Sequence, residues 1–151
     1  MDHHNHTGRF ILMIGLSFLS MYGLMFVMVD SLADVYNNLN QFYMTVLMVI
    51  VMVIIEIILM SNKNWSRKVN YSIVILCIAL FSFFFWSIRQ QFFISDKQFL
   101  KSMIPHHSGA ILMCQKASLQ DFEVKDLCQN IIAGQKAEID KMKTILKRLE
   151  K

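Results

Sequence analysis

The chain has 151 residues, of which 55% are hydrophobic, and its formal net charge is only +4. That is more apolar surface than one soluble domain of this length needs, and it lies before residue 89 while most charges lie after it, which excludes a single water-soluble core. There is no finger spacing, no basic-aromatic patch and no unbroken basic block, so nucleic acid is not expected as a partner.

Residues 1–9 form a polar leader, "MDHHNHTGR". A free amine followed by His3 can wrap a square-planar Cu(II) or Ni(II), and His4 and His6 add imidazoles. The plainer reading is a solvated segment, so these three are the weaker metal candidates.

Three apolar runs follow, at residues 10–29, 42–60 and 69–88. Each is about 20 residues, enough for a helix to cross a hydrocarbon layer roughly 30 Å thick. None alternates like a barrel strand, so three transmembrane helices are expected and the lipid bilayer is the first partner. Ser31-Leu32-Ala33 offers small residues to a signal peptidase. The run before it is longer than a signal core, however, and only Arg9 precedes it, which favours a retained span. The second run carries one charge, Glu56, completing a four-residue stripe with Met44, Met48, Met52 and Met60. An ionisable residue at that depth normally faces a partner or a cavity, and no Lys or Arg lies within the spans. A Met stripe in three spans resembles, in general terms, the eukaryote-type copper uptake trimer, although Met is also an ordinary gap-filler in apolar surroundings.

Short-loop basic residues set orientation. The loop after the first run has none and carries Asp30 and Asp34, whereas the loop after the second carries Lys63, Arg67 and Lys68. The N-terminus is therefore expected in the cytoplasm and the segment after residue 88 outside it, although Arg89, Lys97 and Lys101 oppose that assignment.

Residues 95–151 read as a helical hairpin. Ser95 with Gln98 resembles a capping box, and Asp96 suits the first turn. After a break near residues 119–121, Asp121 can cap a second helix running to about Leu149. Its seam is Val124, Cys128, Ile131, Gln135, Glu138, Met142, Ile145 and Leu149; the matching seam on the first helix is Asp96, Phe99, Met103, His106 or His107, Ala110, Met113 or Cys114, and Ala117. A short connection pairs Cys114 with Cys128, His107 with Gln135, Met103 with Glu138 or Ile139, and Leu100 with Met142. The two cysteines would be either bridged or two thiolates open to metal. One hairpin buries too little by itself, so a homodimer or higher homo-oligomer forming a four-helix bundle is expected.

The stretch "MIPHHSGAILM" at residues 103–113 holds the only proline, two adjacent histidines and a methionine at each end. Imidazole with thioether suits copper, the thioether favouring Cu(I). A di-iron bundle would want Glu-x-x-His, but Lys141 stands three residues after Glu138. Pro105 removes the hydrogen bond to the Lys101 carbonyl and is expected to bend the helix so that both His approach one centre. Against this, a His pair is often only hydrogen-bonded, and Met often only fills a core. Ser108 beside His107 has no acid in a triad arrangement, so an enzyme is not expected.

"DKQFLKSMIPHHSGAILM" and "IIAGQKAEIDKM" resemble, in order, the two signatures of the domain of unknown function 305 (DUF305) family. The resemblance covers residues 96–142 and implies an all-α, ferritin-like helical packing, secretion or membrane anchoring, and a link to copper binding and copper resistance. By resemblance the metal positions are Met103, His106, His107, Met113 and Met142, supported by Asp96, Gln135 and Glu138. Cys114 departs from the family's usual Ala, and one hairpin stands where many members carry two. The implied place is a bacterial inner membrane with the hairpin in the periplasm. The leading expectation is thus a membrane-anchored copper-binding protein for tolerance or delivery, without an organic cofactor. The alternatives are a copper or cation transporter using the Met stripe and Glu56, and a structural or interaction module whose His pair only packs.

Overall fold

In the computed structural model the described residues are 3–60 and 66–151, with the side chains of residues 3–6 and 60 outside the description. Every regular element among them is helical: α1 (His3–Leu24), a 3-10 turn (Leu32–Asp34), α2 (Leu39–Met60), α3 (Arg67–Gln90), α4 (Asp96–Lys116) and α5 (Phe122–Leu149). The chain divides into two compact units, Met1–Leu24 with Asn40–Phe92, and Met25–Leu39 with Phe93–Lys151.

The first unit is α1, α2 and α3. All three are long and apolar enough to cross a membrane, over Thr7–Leu24, Leu39–Leu59 and Arg67–Gln90. Val49, Ile50, Val53 and Ile57 of α2 pack with Cys77 of α3, and Phe10, Ile14 and Phe18 of α1 lean on them. Leu12, Leu16 and Leu19 of α1 are exposed, as an apolar helix packed on one side only leaves them. Gln91 stops α3 in the left-handed conformation, at φ 53°. A non-glycine residue there costs about 1–2 kcal/mol; its side chain is held by reciprocal hydrogen bonds with the Asn40 amide, at 3.0 and 3.1 Å.

Two boundaries differ from expectation. The residues read as a leader, 1–9, enter α1 at His3, and α1 ends at Leu24 rather than running to residue 29. The cause lies in the second unit, which takes Met25–Leu39 as its own third segment.

In the second unit α4 and α5 form the hairpin. Ser95 caps α4 by accepting from the Gln98 N–H, and Asp121 caps α5 by accepting from the Val124 N–H. The reciprocal half of the capping box is absent: Gln98 Oε1 instead accepts from the Leu39 N–H at 2.9 Å. The core is Leu100, Ile104 and Ile111 of α4 with Ile139 and Leu146 of α5, flanked by Tyr36, Ile132, Met142, Ile145 and Leu149. The buried stripe is therefore rotated about one position from the expected seams, and Phe99, Met113 and Val124 are exposed. The rotation has a physical reason. The helix α4 is covered by α5 and also by the segment Met25–Leu39, so its buried arc is wider than a two-helix seam requires.

Near the turn Cys114 and Cys128 are joined as a disulfide, with a Cα–Cα distance of 5.2 Å and a sequence separation of 14. Closing a loop of that size stabilises the fold by up to about 3 kcal/mol in the chain-entropy view. Cys77 is free and buried.

Candidate functional site

The helix α4 presents Met103, His106 and His107 within about one turn, but their environments differ. His106 is exposed and His107 is buried at 8% exposure, with ring centroids 6.0 Å apart and planes crossing at 63°. The two imidazoles thus splay as on an ordinary helix, and the expected approach of both to one centre is not seen. Met113 is 53% exposed, on the His106 side of α4, and Asp96 is an exposed first-turn residue.

His107 is fixed at both ring nitrogens. Nδ1–H donates to the Met103 carbonyl at 2.9 Å, and Nε2 meets Glu138 Oε2 at 2.7 Å. A carbonyl can only accept, so the Nδ1 proton is assigned by its partner. At 2.7 Å the Nε2–Oε2 contact is a hydrogen bond when a proton lies on either of the two atoms. The Glu138 side chain is 59% exposed, so it can leave this contact for water at little cost.

His107 therefore meets Glu138 and not Gln135, which is half-buried one turn nearer the hairpin connection. Facing positions counted from the turn hold at the disulfide and slip further along. Side chains lean toward the N-terminus of their own helix. The His107 ring leans away from the connection and Glu138 leans back toward it, so the two close the gap.

The thioethers lie consistently about this bridge. Met103 is one turn before His107 on α4, and Met142 is one turn after Glu138 on α5. In an antiparallel pair both positions fall on the same side of the bridge, away from the connection. Both Met residues are half-buried, and Met142 packs on the core of this unit. Among the described residues no three His, Cys, Asp or Glu side chains gather as a metal-binding group. His3, His4 and His6 fall on side chains outside the description. In the first unit Glu56 and Met52 are half-buried, whereas Met44 and Met48 are exposed.

A second polar cluster was missed by sequence reasoning. Ser108, fully buried, donates to Asp34 Oδ2 at 2.7 Å and accepts from the Asp30 N–H at 3.0 Å. Asp34, also buried, pairs with Lys143 Nζ at 2.5 Å. Ser108 thus has an acid partner after all, but it bonds the carboxylate directly and no imidazole stands between them. Asp34 and Ser108 are 74 residues apart in sequence, and the only available signal was an Asp in a loop otherwise poor in charge.

Residues 90–148 match the family model described as Domain of unknown function (DUF305). Uncharacterized protein L153 of Acanthamoeba polyphaga mimivirus is 37% identical over 144 residues, covering 93% of this chain and 93% of that protein. The likeness therefore extends beyond the hairpin to the apolar helices. No solved structure matches.

Proposed function

The chain belongs to the DUF305 family, and on that premise we propose that it is a membrane-anchored metal-binding protein whose site, centred on His107, takes copper as Cu(I). One observation carries the reading: the Met103 carbonyl holds the Nδ1–H of His107, so Nε2 is the nitrogen offered outward. Metal-binding imidazoles are characteristically fixed this way through their other ring N–H, which sets tautomer and ring orientation. Glu138 covers Nε2 at 2.7 Å and is exposed enough to be displaced. The thioethers of Met103 and Met142 would complete a soft donor set of one imidazole and two sulfurs, the chemistry that favours Cu(I) over zinc or iron. His106 and Met113, on the neighbouring exposed face, would serve arrival of the ion rather than its retention.

Three long apolar helices support the anchor. The segment between the first and second of them packs on the hairpin that follows the third, which supports one common side for both. The Cys114–Cys128 disulfide supports an oxidising compartment on that side, outside the cytoplasm. Exposed Phe122, Val124 and Leu127 at the start of α5 support association of two hairpins into a four-helix bundle. Binding for tolerance or delivery is the activity that follows.

A competition titration of the full chain in detergent against a chromogenic Cu(I) chelator tests the site. His107→Ala should weaken Cu(I) binding at least tenfold, about 1.4 kcal/mol. His106→Ala should change it less than threefold. An affinity unmoved by His107→Ala would remove the site.

A further inference from the structure

We propose that Met25–Leu39 is a strap that completes α4 across its proline, and that Asn38 in this strap is a positioning residue for His106 and His107. In a regular helix the carbonyl of residue 101 accepts from the N–H of residue 105. Pro105 has no N–H, so the Lys101 carbonyl loses its helical donor, yet α4 continues through Pro105 from Asp96 to Lys116. Lys101 is half-buried, so its carbonyl needs a donor from another part of the chain or from water. The strap supplies one: Asn38 Nδ2 donates to the Lys101 carbonyl at 3.4 Å. Asn38 is itself buried at 7% exposure, and its amide also donates to the Tyr36 carbonyl at 3.0 Å, which fixes its direction.

The strap follows α4 on both sides of the proline. Before it, the Leu39 N–H donates to Gln98 Oε1 at 2.9 Å. After it, Ser108 joins Asp30 and Asp34, and a Cβ added at Gly109 would lie 3.3 Å from the Met28 carbonyl oxygen. Glycine at 109 thus permits the strap backbone to lie against the helix. His107 sits between these attachments, one residue from Ser108 and two from Pro105. Pro105 therefore acts chiefly by creating a free acceptor that the strap can recognise, and the His pair is held in a turn whose geometry depends on residues more than 60 positions earlier. The functional unit is the strap with the hairpin, and residues 90–148 alone would lack one of its parts.

The test is a double-mutant cycle on the full chain in detergent micelles, without metal. Asn38→Ala should raise amide hydrogen-exchange rates over residues 102–107 about five- to tenfold. It should also weaken the slowly exchanging Nδ1–H signal of His107 in a nitrogen–proton spectrum. Pro105→Ala restores a backbone donor to the Lys101 carbonyl, so adding Asn38→Ala to that background should change both readouts less than twofold. Equal losses in the two backgrounds, or no loss in the first, would overturn the assignment. If Asn38→Ala fails to fold, the double variant must fold, and failure of both would also overturn it. The copper reading enters only through the use to which the positioned His107 is put. A chain that binds no copper but shows the expected cycle removes the metal site and keeps the strap; the opposite pattern removes the strap and keeps the site.

Discussion

Replacing Asp34 by Ala should destabilise the second unit. The Ser108 hydroxyl would lose its acceptor at a position with 0% exposure, and an unsatisfied buried hydroxyl costs about 1–3 kcal/mol. Lys143 would lose its partner, but its side chain is 31% exposed, so the ammonium can rehydrate. The ion-pair loss then falls well below the roughly 3–5 kcal/mol of a fully buried pair, and about 1 kcal/mol is a reasonable share. Together the loss is about 2–4 kcal/mol, and for a unit of this size each kcal/mol moves the midpoint by roughly 4–8 °C. Thermal unfolding in detergent, followed by near-ultraviolet circular dichroism, should therefore show a midpoint at least about 8 °C lower at the limit of those figures. Asp34→Asn, which can still accept from Ser108, should lose less than half as much. A shift under about 2 °C for Asp34→Ala would mean that the cluster contributes nothing beyond what water supplies, and the reasoning from burial would fail.

Three other outcomes follow from the geometry. Thiol counting on denatured, unreduced protein should find one reactive thiol, Cys77, because Cys114 and Cys128 are bridged; three reactive thiols would contradict the bridge and the proposal of an oxidising compartment. A ligating imidazole nitrogen must carry no proton and must part from Glu138, so calorimetry in buffers of different ionisation enthalpy should show proton release on Cu(I) binding at Nε2; binding with no proton release would point to a thioether-only site. Light scattering in detergent should give the mass of a dimer across a range of protein concentrations, and a monomeric mass throughout would count against the four-helix bundle.

Local chemistry was the legible part of this chain. The apolar lengths of α2 and α3, the caps at Ser95 and Asp121, and the juxtaposition of Cys114 and Cys128 each depend on residues close in sequence or on one short turn. The strap was not legible. Asn38 meets Lys101 over 63 positions and Asp34 meets Ser108 over 74, and no periodicity records such pairings. Asp34 entered the sequence reading only as a loop charge in the orientation argument, although it is buried. The missing strap also explains the seam error. A stripe drawn for one partner helix favours Phe99 and Met103, whereas a helix covered from two directions buries Leu100, Ile104, His107 and Ser108. The residues of the proposed site were partly legible for the same reason: Met103, His107, Glu138 and Met142 lie on the seams drawn from helical spacing, while the separation of His106 from His107 depended on the burial that the strap and α5 impose together.

X-ray absorption at the copper edge of the Cu(I)-loaded full chain tests the central claim most directly. A centre at His107 with Met103 and Met142 predicts one nitrogen and two sulfur scatterers, with the nitrogen shell lost in His107→Ala and one sulfur lost in Met142→Leu. A spectrum containing only nitrogen and oxygen scatterers, or one unchanged by His107→Ala, would contradict it.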